Sequence, residues 1–237
     1  MEPPITTSKD FDAFGNIVDE QMHQLAGLMV ANRIPYFVER IIDAGCGTGT
    51  IYKYLPVVRR ADQVLLLDLS WDYLNTAKNN VRKYSKLEGS KKGLKILMNK
   101  VDLRKLSPGR YPGDLLLFTN TTGFMSIKEC MGVMRACPST YTLANFFFVE
   151  DNVLKGKIHP LTDTSMLDVV DVKRGIFTWN FGRITGNNQV NNTFTLQAIK
   201  YSSWKKAVKD AGYNIVNEVR YRDFKAERMV LLQNTAK

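Results

Sequence analysis

Five short apolar runs alternate with helix-like segments along the first two thirds of the chain: "VERIID", "QVLLLDLS", "LKILMNKVDL", "GDLLLFTN" and "TYTLANFFFVED". Runs as continuous as the first two suit strands covered on both faces, and strand–helix alternation argues for a parallel, doubly wound sheet. The tail adds a constraint. "SSWKKAVKDAGY" reads as a helix stopped by Gly212, and "NIVNEVRY" and "ERMVLLQ" follow it, a few residues apart. A parallel crossover needs a dozen or more residues, so these two runs must pair antiparallel. The expected fold is therefore α/β, a mostly parallel sheet finished by one antiparallel hairpin.

Composition allows this and little more. With 237 residues, 44% of them hydrophobic, the chain can bury the core of one α/β domain. No run approaches the roughly 18 apolar residues of a membrane span. The start "MEPPITTSKDFDAFG" lacks the order of a signal peptide. Cys46, Cys130 and Cys137 are odd in number and form no C-x-x-C pair, and His23 and His159 are the two histidines. Neither a disulfide framework nor a metal site is expected, and the default location is cytoplasmic, with a nuclear one also allowed.

The first apolar run ends in "DAGCGTG", where Asp43 precedes Gly45, Gly47 and Gly49, and a helix is expected from there to about Leu55. A dinucleotide loop wants G-x-G-x-x-G, but here the third glycine comes one residue early. An acid at position 43 would repel a diphosphate and attract an ammonium group. The glycines admit a ligand close to the backbone, and the following helix N-terminus favours a carboxylate. A nucleoside joined to an amino acid meets both demands. Asp68 closes the second run, where a carboxylate can take both ribose hydroxyls. Asp102 closes the third, within reach of an adenine amino group, with Leu69 and Leu103 as apolar walls for the ring.

These motifs resemble those of the class I S-adenosylmethionine-dependent methyltransferases over most of the chain. "DAGCGTG", "LLLDLS", "VDL", "GDLLLFTN" and the terminal hairpin carry the resemblance. It implies a Rossmann-like seven-stranded sheet with its last strand antiparallel, a single domain over residues 1–237, and methyl transfer from S-adenosyl-L-methionine without a metal. It also implies that Asp43, Gly45, Cys46, Gly47 and Gly49 hold the methionine part, Asp68 the ribose and Asp102 the adenine, with Leu69 and Leu103 beside the ring. Thr119 and Asn120 would close the fourth strand beside the reacting centre. Residues 1–35 are expected to form a helical segment, with Met22, Leu25, Leu28 and Met29 on one face.

The acceptor is less constrained. "VEDNVLKGKIHPLTDTSMLDVVDVKR" resembles the matching stretch of protein α-N-terminal methyltransferases, which implies that Asp151, Asn152 and Asp163 hold the attacking amine. The tryptophan-containing N-terminal segment of that family is not found in this sequence. The extra segment Gly175–Ser202 alternates like one or two added strands and resembles the lid strands of small-molecule methyltransferases. Phe177, Trp179, Phe181 and Arg183 share one face of it. Protein or peptide amines and small molecules both remain open as acceptors. RNA is a third candidate, because Lys78–Arg110 holds eleven Lys/Arg against Glu88 and Asp102. A catalytically silent cofactor-binding scaffold is the remaining alternative.

Overall fold

The computed structural model describes residues 18–34, 38–86, 93–119, 121–149, 159–162, 165–173, 176–185, 188–197, 199–220 and 227–235. Helix α1 spans Val18–Arg33, and β1 (Arg40–Ala44) leads through the glycine loop to two 3-10 turns, Thr50–Lys53 and Pro56–Arg59. Then come β2 (Gln63–Asp68), α2 (Trp71–Ser85), β3 (Lys95–Lys100), β4 (Gly113–Phe118), α3 (Ile127–Ala136) and β5 (Ser139–Val149). Two further 3-10 turns, Leu103–Lys105 and Thr122–Phe124, follow β3 and β4.

The main sheet has the order β3-β2-β1-β4-β5-β12-β11, where β11 is Tyr213–Arg220 and β12 is Glu227–Asn234. β1 to β5 pair in parallel, and β12 runs antiparallel to both β5 and β11. The expected seven strands with one reversed strand are therefore present. The continuous apolar runs are explained by burial on both faces. Ile41, Val64, Leu66, Leu115 and Leu117 join one core with α1 and α2 residues such as Met29 and Leu74. Their neighbours Ile42, Leu65, Leu67, Leu116 and Phe118 join the other, with Met131 and Met134 of α3 and Trp204. Ser70 caps α2, and Ser126 with Glu129 forms a capping box that starts α3.

Three expectations need correction. No α-helix runs from the glycine loop to Leu55. Gly49 enters a short 3-10 turn with no side-chain cap, and Pro56, which has no N–H to give, starts a second turn. In α1 the buried stripe is Met22, Ala26, Met29 and Val30, while Leu28 is 60% exposed. At about 100° per residue, Leu28 falls opposite Ala26.

The third correction concerns the added strands. They form a separate four-stranded antiparallel sheet that begins well before Gly175: β6 (His159–Thr162), β7 (Ser165–Lys173), β8 (Ile176–Thr185) and β9 (Asn188–Gln197), in that order. The acids inside "SMLDVVDVK" disguise β7 as a loop. The chain then rejoins the main sheet as β10 (Ile199–Lys200), which pairs in parallel with Phe148 and Val149 before α4 (Tyr201–Asp210) begins. The excursion thus leaves and returns at one point, the carboxyl end of β5. Among the described residues, no helix is long and apolar enough to cross a membrane.

Candidate functional site

The glycine loop leaves β1 at the carboxyl edge of the sheet and is pinned on three sides. Gly45 N and Cys46 N donate to Leu67 O of β2, at 2.8 and 3.1 Å. Thr121 Oγ1 donates to Gly45 O at 3.2 Å, and Asn80 Nδ2 of α2 donates to Thr48 O at 2.8 Å. All three glycines have positive φ (75°, 49° and 70°), a conformation that costs a side-chain-bearing residue about 1 kcal/mol or more. Space excludes side chains as well. A Cβ on Gly45 would lie 2.0 Å from Thr121 Oγ1, and one on Gly49 would lie 3.0 Å from the Ala77 backbone.

Asp43, in β1 two residues before Gly45, is 2% exposed, and its Oδ2 has no hydrogen-bond partner. Burial pushes its carboxyl up to about 7, with the Asp68 charge adding to the rise and the nearby Tyr52 hydroxyl opposing it. Tyr52 is also buried, and its hydroxyl interacts with the Asp43 carboxyl, yet neither that hydroxyl nor Asp43 Oδ2 makes a hydrogen bond of normal geometry. An unsatisfied carboxylate oxygen directly before a cradle of glycine backbone is what an ammonium-bearing ligand would complete. Cys46 is buried, and burial followed by the charges of Asp43 and Asp68 raises its thiol, so it stays neutral. Its sulfur donates to Gly47 O at 3.6 Å.

Asp68 ends β2 and ties the loop to its own strand: Oδ2 accepts from Gly47 N at 3.0 Å, and Oδ1 from Ser70 N at 2.9 Å. With the Leu69 amide as a third donor, one of its four lone-pair sites is left for a further donor, such as a ribose hydroxyl. Burial raises its pKa, against the lowering effect of the Ser70, Gly47 and Leu69 amides. Asp102 ends β3 but faces its own neighbour. Arg104 donates to it from N, Nε and Nη2, at 3.1, 2.9 and 3.0 Å, and those side-chain bonds hold its carboxyl below the usual range. A ligand amino group would have to share that carboxylate.

The expected ring walls divide. Leu69 is 49% exposed at the crevice rim, whereas Leu103 is buried on the α3 side of the sheet. Thr119 is buried at the end of β4. Asn120, Asp151, Asn152 and Asp163 lie outside the described residues. Asp151 and Asn152 follow β5, and Asp163 falls between β6 and β7.

The structure adds residues that sequence reasoning missed. Trp71, the first residue of α2 and two positions after Leu69, is 50% exposed; Phe124, after β4, is 41% exposed. Helical side chains lean toward the N-terminus, so a tryptophan just past the Ser70 cap belongs at the strand-end rim. That signal was available in the sequence. Thr121 and Tyr52 gave no comparable signal, because their roles depend on contacts with the glycine loop. Thr122 Oγ1 donates to the carbonyl of buried Asn145, which ties the Thr122–Phe124 turn to β5. β9 of the second sheet runs beside the same turn.

No protein-family model and no curated protein sequence matches the chain. Solved structures do. An S-adenosylmethionine-dependent methyltransferase from Clostridium acetobutylicum superposes with a TM-score of 0.67 at 15% identity, covering 94% of this chain and 98% of the other. An amino pentose methyltransferase of calicheamicin biosynthesis from Micromonospora echinaspora, solved with its methyl donor bound, gives 0.60 at 17% identity, covering 99% and 100%. A sugar N-methyltransferase from a Streptoalloteichus species gives 0.56 at 14% identity, covering 90% and 86%. Strand order, the single reversed strand and these superpositions agree: the chain has the class I S-adenosylmethionine-dependent methyltransferase fold.

Proposed function

We propose that the chain is an S-adenosyl-L-methionine-dependent methyltransferase acting on the amino group of a small molecule. The observation that carries the donor half is the glycine loop, with three positive-φ glycines directly after Asp43, whose buried Oδ2 is unpartnered. Asp43 takes the ammonium of the donor, the loop backbone lies along its methionine part, and Asp68 accepts from the ribose hydroxyls. Leu69 and Trp71 offer apolar surface to the adenine, and Asp102 accepts from its amino group while still bonded to Arg104.

When bound, S-adenosyl-L-methionine supplies an electrophilic methyl group on a sulfonium. The chain's own task is to bring a neutral amine into line behind that methyl and to keep water out. Asn152 and Asp163 hold the amine, and Asp151 or Asp163 takes the proton it sheds as the new N–CH3 bond forms. The second sheet is the substrate-side cover, supported by its neck at the end of β5 and by β9 beside Phe124. The solved relatives that methylate amino pentoses and sugar nitrogens align over nearly the whole of this chain, which favours a small amine over a protein N-terminus.

The test has two stages. Calorimetry should show one site for S-adenosylhomocysteine, lost in Asp68→Ala with the thermal transition unchanged; undiminished binding in the variant would reject the ribose role. Labelled methyl transfer into fractionated cell extract should then place the label in the small-molecule amine pool. Label in protein N-termini would redirect the assignment to peptide amines.

A further inference from the structure

Strand β3 is the outer edge of the main sheet, and basic residues surround it on both sides. On one side, α2 exposes Arg82, Lys83 and Lys86. Along the edge itself, Lys95 and Lys100 mark the two ends of β3, about 17 Å apart at strand rise. On the other side, Lys105 and Arg110 are exposed. Among the described residues none of these seven cations has an acid at ion-pair distance; Asp102 is taken by Arg104. A solvated basic face is common, so charge alone is a weak argument.

Two further features narrow the reading. Aromatic rings interleave with the cations. Lys83 Nζ lies 5.3 Å from the centre of the half-buried Tyr84 ring, and the Arg110 guanidinium lies 5.6 Å from that of the half-buried Tyr111 ring. Cations that track phosphates, set beside aromatic rings that keep part of their surface open, are the pattern of single-strand recognition. In addition, the exposed stripe of α2 continues from Arg82 and Lys86 to Asn79 and Asn75, one helical row of positions. Exposed amides in line with the phosphate contacts can donate to and accept from a 2′-hydroxyl, the group that separates RNA from DNA.

We infer that the β3 edge, with the outer row of α2, is a docking surface for single-stranded RNA. It goes beyond the methyl-transfer reading and does not depend on it. The surface reaches the crevice at Lys100, which sits in register opposite Asp68. A polynucleotide on this edge therefore passes the donor end of the site, away from β5 and the second sheet. This separates docking from the choice of acceptor.

The experiment is fluorescence anisotropy with a labelled, unstructured RNA of about 20 nucleotides and with DNA of the same sequence, from low to physiological salt. Wild-type protein should bind the RNA with a log–log salt slope near −0.7 per phosphate neutralised. The combined variant Arg82→Gln, Lys86→Gln, Lys95→Gln should bind at least tenfold more weakly, with a shallower slope. Lys205→Gln with Lys209→Gln, exposed on α4 at the far edge, should leave binding within twofold. Asn75→Ala with Asn79→Ala should reduce the preference for RNA over DNA. Thermal melts of each variant report whether it is folded. No RNA binding at low salt, equal loss in the α4 control, equal affinity for DNA, or equal competition by polyglutamate would each overturn the inference.

Discussion

Asp43 holds a carboxyl in a place where ionisation is costly, and that cost has a definite pH signature. Its folded pKa of about 7 lies above the unfolded value of 3.8, so between those limits the folded state keeps a proton that the unfolded state has lost. Stability of the ligand-free protein should therefore fall as pH rises from about 4 to about 7, by up to about 4 kcal/mol from this group, and then level off. Asp43→Asn should flatten that slope in urea titrations. An ammonium-bearing ligand reverses the preference and draws the proton out. S-adenosylhomocysteine binding should thus strengthen as pH rises toward 7, with proton release visible as a buffer-dependent calorimetric enthalpy. The same release in Asp43→Asn would assign the proton to another group. Gly45 makes a complementary prediction. Gly45→Ala combines φ of 75° with a Cβ 2.0 Å from Thr121 Oγ1, and should cost more than about 2 kcal/mol and abolish ligand binding. Adding Thr121→Ala removes the 2.0 Å contact but keeps the Thr121 Cβ at 2.8 Å and the backbone strain, so recovery should be partial. Asp43, Asp68 and the glycines were legible in the sequence because strand ends and glycine spacing are local patterns. Tyr52 and Thr121 were not, because what they do is set by residues far along the chain.

Elements that join the two sheets carry the second kind of information. Tyr201 opens α4 just after the chain returns from the second sheet, and its hydroxyl donates to Glu218 of β11. Arg228 of β12 is 2% exposed; it donates to the same Glu218, and its guanidinium lies 3.9 Å from the centre of the Tyr201 ring. Phe148, at the neck, lies beneath the same guanidinium at 5.3 Å. A buried arginine is tolerated when a carboxylate and ring faces replace its water. Arg228→Met should cost about 3 kcal/mol in urea denaturation, since Glu218 loses its counter-charge and keeps only the Tyr201 hydroxyl. Arg228→Met with Glu218→Gln should recover part of that loss; no coupling between the two substitutions would show that the pair is energetically idle. The individual elements of the core were readable because their residues alternate between two buried faces. The second sheet was read only in part. Two of its strands fall in Gly175–Ser202, but β7 places Asp168 and Asp171 among its valines, and a period-two reading takes those acids for a loop. The hidden strands were betrayed only by pairing with partners further on.

At the scale of the molecule, the second sheet is an excursion from a complete fold. Among the described residues, the seven strands of the main path and the short β10 beside β5 share no strand with the other four. The excursion begins after Val149 and ends at Ile199, whose register partner is Phe148, so the two ends lie about 5 Å apart, one inter-strand spacing. A bridge of about fifteen glycine and serine residues can span that gap, including the double reversal that parallel pairing demands. Residues 150–198 should therefore be replaceable by such a linker without loss of the core. The shortened protein should melt cooperatively and bind S-adenosylhomocysteine within about threefold of the full chain, because Asp43, the glycine loop and Asp68 are all retained. Turnover should fall at least a thousandfold, because Asp151, Asn152 and Asp163 leave with the second sheet. Donor binding lost together with turnover, in a variant that still melts cooperatively, would mean that β9 supports the donor site through the Thr122–Phe124 turn and Thr121. In that case the second sheet is part of the cofactor cradle, and the division between a donor-binding core and a substrate-side cover does not hold.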